Sequence, residues 1–165
     1  MKKPVDTDED SQGEGFRLEE FLPYRLCVAA ESVSHLMSRH YLAHSDLVLP
    51  EWRLLAAVGR FGVLSPTAAG ERTSMDKVKV SRAAASLVAR GLLRQSQDPD
   101  DGRGRLLRLT RKGTTIYTGV APTAQAIEEA LAPGLTKAEW SALRKSLGKL
   151  SEHARSILAG ADKAG

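Results

Sequence analysis

The chain has 165 residues, 42% of them apolar, and a formal net charge of +4. That length and apolar share suit one globular domain, with or without an added helical layer. The single cysteine, Cys27, excludes an internal disulfide framework and points to a reducing cytoplasm. No apolar run approaches the roughly 18 residues needed to cross a bilayer, so no membrane partner is expected. The two N-terminal lysines are not followed by an apolar core, which excludes a secretory signal.

Residues 1–15 are polar and acidic, with Asp6, Asp8, Glu9, Asp10 and Glu14, and read as a disordered arm. The remainder is correspondingly more basic, as a polyanion binder would be. From Phe16 to about Ala43 the apolar residues Leu18, Leu22, Leu26, Ala29, Val33, Leu36 and Tyr41 recur at helical spacing. Pro23 falls in the first turns, where proline is tolerated. Ser45-Asp46 breaks the pattern. A second helix opens near Pro50, buries Leu54, Leu55, Val58 and Phe61, and stops at Gly62.

Ser65-Pro66 is an N-cap followed by proline, the start of a short third helix. Thr73-Ser74-Met75 reads as a turn. Asp76 caps a fourth helix through about Arg90, with Val80, Ala84, Leu87 and Val88 inward and Gly91 as its stop. Residues 92–97 and 105–109 alternate as two strands of a hairpin. Their connection, Asp98 to Gly104, is rich in Asp, Gly and Pro. Thr110 caps a fifth helix ending near Pro133-Gly134. The last helix, about Thr136 to Leu158, carries the stripe Trp140, Leu143, Leu147, Leu150, Ala154 and Ile157.

This order predicts a mainly α fold with a small β-wing: a winged helix-turn-helix at 45–112. Dimerisation helices flank it at 16–44 and 113–159, and a flexible tail follows at 160–165. The terminal helices have apolar faces and no second core to receive them, so a homodimer is expected. The basic residues fall on the elements that would touch DNA. A helix in the major groove presents its first residues to base edges, here Lys77, Lys79, Ser81 and Arg82. Arg103 at the wing tip suits a narrow minor groove, and Arg105 suits phosphate. Thr73 and Ser74 at the turn are candidate phosphate contacts. Asp101 is placed to hold Arg103 or simply to turn the chain.

These landmarks resemble the MarR family of bacterial regulators. Leu49-Pro50-Glu51-Trp52-Arg53-Leu54-Leu55 is similar to the family's second-helix opening. Met75-Asp76-Lys77-Val78 with Val80-Ser81-Arg82 is similar to its recognition helix. Asp98-Pro99-Asp100-Asp101-Gly102-Arg103, then Leu109-Thr110 and Gly113, resembles its wing signature, with Gly102 where the family often has a basic residue. The resemblance spans about Phe16 to Leu158. It implies a triangular dimer on a near-palindromic double-stranded operator, acting as a repressor that a small ligand or an oxidant releases.

The resemblance also implies an effector cleft between the dimer helices and the winged domain. Tyr24, Arg25, His35, Arg39, Tyr41, Trp52 and Arg53 would line it. Aromatics mixed with cations suit an aromatic acid or an acyl-CoA thioester. The segment Phe21-Leu22-Pro23-Tyr24-Arg25-Leu26 resembles members that control aromatic-acid catabolism, which makes hydroxycinnamate-type compounds leading candidates. Cys27, with Tyr41 and Trp52 downstream, resembles peroxide-sensing members, but Trp52 stands where a phenol is wanted. A thiol-based repressor is therefore the alternative, and a non-sensing architectural DNA binder a further one. His40 and His44 share a helix face, but no cysteine or carboxylate cluster completes a metal site. There is no phosphate loop, nucleophile elbow or HExxH motif, so neither enzyme chemistry nor a cofactor is expected.

Overall fold

The computed structural model describes residues 16–99 and 104–161. The expected acidic arm, the end of the tail and the wing tip with Asp101, Gly102 and Arg103 lie outside them. The chain divides into two compact units, residues 1–36 and 37–165. The α-helices are α1 (Leu22–Ser45), α2 (Leu49–Phe61), α3 (Pro66–Thr73), α4 (Lys77–Ala89), α5 (Arg111–Leu131) and α6 (Lys137–Ala161). The strands β1 (Leu93–Gln97) and β2 (Arg105–Leu109) form one antiparallel hairpin.

In the first unit a 3-10 turn, Leu18–Glu20, precedes α1. Helix was expected from Phe16 onward. Instead Arg17 and Phe21 have extended backbone, and the α-helix begins only at Leu22. Arg17 pairs with Glu19 at 3.3 Å and Glu20 at 2.9 Å, and the Phe16 and Phe21 rings meet edge to face at 5.2 Å. Leu22, Tyr24 and Val28 are exposed.

The second unit is ordered by its caps. Asp46, in the left-handed region, turns the chain after α1. In α2, Glu51 reaches back to accept the Val48 backbone N–H at 3.2 Å. Gly62, at φ 82°, ends this helix in a conformation that glycine adopts without strain. Ser65 Oγ accepts the Ala68 N–H at 3.1 Å and opens α3. Asp76 Oδ1 accepts the Lys79 N–H at 2.8 Å and opens α4. Thr110 Oγ1 accepts the Gly113 N–H at 2.9 Å and donates to the Gly91 carbonyl at 2.7 Å, so the cap of α5 also binds the turn after α4.

The core joins α2 (Leu54, Leu55, Val58), α4 (Val80, Leu87) and the hairpin (Leu93, Leu107), with Leu47 entering from the segment before α2. The hairpin register sets Leu93 opposite Leu109 and Arg94 opposite Arg108. Leu64 exchanges two backbone hydrogen bonds with Leu107 and adds a short third edge. Tyr41, Trp52 and Tyr117 form an aromatic run, with ring centroids 5.0 and 6.2 Å apart, linking α1, α2 and α5. Gly59 makes room for it, because a Cβ there would lie 2.8 Å from the Tyr117 ring.

Two expected inward residues face out instead. Phe61 is 48% exposed and Val88 37% exposed. Both sit near the edge of their helix's apolar stripe, and both fall in the last turn, where the neighbouring elements no longer cover them. Pro122 lies inside α5 without ending it. Val120 and Ile127, buried before and after it, hold the helix in place despite the lost hydrogen bond. The last helix opens with a reciprocal cap: Glu139 accepts the Thr136 N–H at 2.8 Å, and Thr136 Oγ1 accepts the Glu139 N–H at 3.3 Å. No residue of α6 is buried, and Leu143, Leu147, Leu150, Ile157 and Leu158 are exposed.

Candidate nucleic-acid interface

The first turns of α4 carry Lys77, Lys79, Ser81 and Arg82, all exposed, while Val80 turns into the core. A helix with one buried residue per turn must present the rest outward, which is why the basic residues are free to meet a polyanion. They are not equivalent. Lys79 Nζ lies 3.0 Å from Asp76 Oδ2, so its ammonium is partly neutralised by the cap of its own helix. Asp76 is held below the ordinary carboxylate value, chiefly because it accepts the Lys79 backbone N–H and then because Lys79's side chain donates to it. Neither Arg82 nor Lys77 has a carboxylate partner among the described residues.

The turn residues behave differently from each other. Thr73 Oγ1 donates back to the Ala69 carbonyl at 2.6 Å, inside its own helix. Ser74 is exposed and left-handed, at φ 53°. A groove of about 660 Å³ runs between α3, α4 and the wing, with Thr67, Glu71, Lys77, Ser81 and Gln95 along it. Arg105 Nη1 lies 3.4 Å from Gln95 Oε1, so this arginine is directed along the hairpin.

Sequence reasoning left two features of this face unassigned. Val78 is 57% exposed on the first turn of α4, between the two lysines. An apolar side chain there can meet a thymine methyl in the major groove. Its signal is the two-residue step from the buried Val80, which places position 78 on the opposite side. Arg94 and Arg108 are exposed and directly opposite across the hairpin. Like charges at that spacing repel, and a nearby phosphate would relieve them. Only the strand register reveals this pair.

The expected effector residues divide between the two units. Tyr24, Arg25 and His35 lie in the first, all exposed, and His35 Nε2 is 3.9 Å from Glu31. Cys27 is a free, exposed thiol in the same unit. The second unit holds Arg39, Tyr41, Trp52 and Arg53. Tyr41 is 1% exposed and packed on Trp52, so it belongs to the core. Burial raises its hydroxyl above the ordinary value of 10.0 despite a hydrogen bond with Trp52. Trp52 reaches the surface only at one edge, beside the exposed Arg53, where both border a cleft of about 530 Å³. Among the described residues, no three His, Cys, Asp or Glu side chains converge to hold a metal ion, and no helix is long and apolar enough to cross a membrane.

Residues 45–104 match the model of the MarR family. A search of curated protein sequences finds no match. Among solved structures, BpsR of Bordetella bronchiseptica, described as regulated in its DNA binding by 6-hydroxynicotinic acid, is 27% identical, with a TM-score of 0.77 over 83% of this chain and 97% of that one. A probable transcriptional regulator from Pseudomonas aeruginosa is 29% identical, with a TM-score of 0.68 over 81% and 99%. A mutant of MarR from E. coli, solved as a complex with operator DNA, is 22% identical, with a TM-score of 0.70 over 82% and 99%.

Proposed function

We infer that the winged helix-turn-helix of this chain, whose residues 45–104 match the MarR family model, is that of a MarR-type transcriptional regulator. From that premise we propose a homodimeric repressor, released from a near-palindromic operator by a small aromatic acid or its CoA thioester. The observation that carries the DNA-binding part is the exposed first turn of α4, where Lys77, Ser81 and Arg82 stand clear of the core beside the wing. Arg105 on β2 would extend the same contact along the hairpin, with Arg103 added as the sequence leads one to expect. The exposed apolar stripe of α6 supports the dimer, since Leu143, Leu147, Leu150, Ile157 and Leu158 are a large apolar surface for one chain to leave in water.

The effector class is supported by Arg39 and by Arg53 beside Trp52 in the second unit, and by BpsR, whose DNA binding is regulated by 6-hydroxynicotinic acid. Guanidinium groups bind a carboxylate in paired hydrogen bonds, and a ring gains from burial against aromatics. Ligand binding must favour a spacing of the two recognition helices that no longer fits half-sites one helical turn apart.

The test is release of a bound operator duplex by 6-hydroxynicotinate, by hydroxycinnamates and their CoA thioesters, and by peroxide. Wild type and Cys27→Ser should respond alike to the aromatic acid, while Arg25→Ala and Arg39→Ala should respond weakly. Release by peroxide in wild type but not in Cys27→Ser would replace this reading with a thiol switch.

A further inference from the structure

The buried residues of α4, Val80, Ala83, Ala84 and Leu87, define the side of the helix that meets the core. At about 100° per residue, positions 78, 82 and 85 lie on the opposite side, farthest from it. Lys77 and Lys79 stand about 100° to either side of Val78. These five residues are all exposed. The order is unusual for a helix face that meets only water, where charge gathers on the outermost side. Here that side carries Val78, 57% exposed, then Arg82 and the small Ala85, and the lysines stand at its margins.

A duplex accounts for this order. When a helix lies in the major groove, its outermost strip faces the base edges and its margins face the phosphates on either side. We infer that Val78 and Arg82 are the base-reading pair of α4: Val78 packs on the 5-methyl group of a thymine, and Arg82 donates to O6 and N7 of a guanine. Of the four bases, only thymine presents a methyl group in the major groove, and only guanine two acceptors side by side. Arg82 has no carboxylate partner among the described residues, so its paired donors are available to a base. Lys79, by contrast, is drawn to Asp76 at 3.0 Å, on the margin where a phosphate would pass.

The pair also fixes a spacing. Positions 78 and 82 are four residues apart, about 6 Å along the helix, against about 3.4 Å for each base pair. The thymine and the guanine therefore lie about two base pairs apart in each half-site. This assignment rests on the DNA-binding reading above and deepens it, since a near-palindrome by itself names no base.

The test uses the full chain and the duplex that it selects from a random library. Each thymine of that duplex is replaced in turn by uracil, which lacks only the 5-methyl group. Each guanine is replaced in turn by 7-deazaguanine, which lacks the N7 acceptor. Wild type should lose about fourfold in affinity at one thymine of each half-site, the equivalent of one buried CH2 group. It should lose about fivefold or more at a guanine about two base pairs away. Val78→Ser should bind the thymine and uracil duplexes alike and keep its response at the guanine, and Arg82→Ala should show the reverse. Both positions are exposed, so both variants should melt as wild type does. A wild-type scan in which no thymine responds to loss of its methyl group overturns the Val78 assignment without any variant. An equal uracil response in Val78→Ser and wild type overturns it too, because another residue would then read the methyl. An Arg82→Ala loss that is equal on selected and random duplex, with a lower salt slope, makes Arg82 a phosphate contact and overturns its part. If no duplex is enriched over random DNA, the DNA-binding reading itself falls and takes this one with it.

Discussion

Arg90 Nη1 donates to Glu51 Oε2 at 3.0 Å, joining the end of the recognition helix to the first turn of α2. Ser86 Oγ donates to the other carboxylate oxygen, and the Val48 N–H donates to Oε2 at 3.2 Å. Arg90 Nη2 also lies 3.9 Å from Asp46 Oδ2, just after α1. The carboxylate is thus buried but fully engaged, and it fixes α4 against the segment through which α1 leads into the winged domain.

Arg90→Ala should cost about 1–3 kcal/mol, because it leaves a buried carboxylate short of a charged donor. Glu51→Gln should cost less, since the amide oxygen can still accept one of these hydrogen bonds. Urea denaturation would measure both. A loss below about 0.5 kcal/mol in Arg90→Ala, the scatter for surface substitutions, would mean the contact does not hold the two helices together.

Gly113→Ala should be among the most damaging single changes. A Cβ there would lie 1.9 Å from the Leu92 carbonyl oxygen, which already accepts the Thr110 N–H at 3.0 Å. Backbone cannot move aside as a flexible side chain can, so about 3 kcal/mol or more should be lost. Gly91→Ala, at φ 69° with open space around it, should cost about 1 kcal/mol from backbone strain alone. Thermal melting of the two variants should rank them in that order.

Gly91 illustrates what was legible in the sequence. Caps and stops were readable because they need particular residues: Ser65 before Pro66, Asp76, Thr110, and glycines at the positive φ of Gly62 and Gly91. The outward basic residues of α4 followed from one buried position, Val80. Phe61 and Val88 were misplaced because helical periodicity gives the direction of an apolar face but not where its covering ends. The Glu51–Arg90 link and the Arg94–Arg108 pair depend on how separate elements meet, which no local pattern encodes.

Along α4 the contacts should be graded. Arg82→Ala should lower affinity for the specific site by about 1–3 kcal/mol if it reads a base, and lower the salt slope by about one if it meets phosphate. Lys79→Ala should lose less than Lys77→Ala, because the Lys79 ammonium is already paired with Asp76 at 3.0 Å. Binding isotherms at several salt concentrations separate these cases. Equal losses at positions 77 and 79 would show that the Asp76 pair opens on DNA.

The Asp76 cap should also give the protein an acid-sensitive element. Its folded value lies below the ordinary 3.8, first because it accepts the Lys79 backbone N–H. Its contribution is therefore present above that ordinary value and disappears as pH falls through the lowered one. The stability difference between wild type and Asp76→Ala should be constant near neutrality and shrink in strong acid. A difference that grows as pH falls would reverse the sign and remove the cap from the account.

The central claim is sequence-specific binding of double-stranded DNA by the face of α4. The direct measurement is equilibrium anisotropy of the duplex that the protein selects from a random library, compared with unselected duplex at the same salt. The account predicts a near-palindromic site, with half-sites about one helical turn apart, bound at least roughly a thousandfold more tightly than random DNA. Equal affinity for selected and random duplex would contradict it.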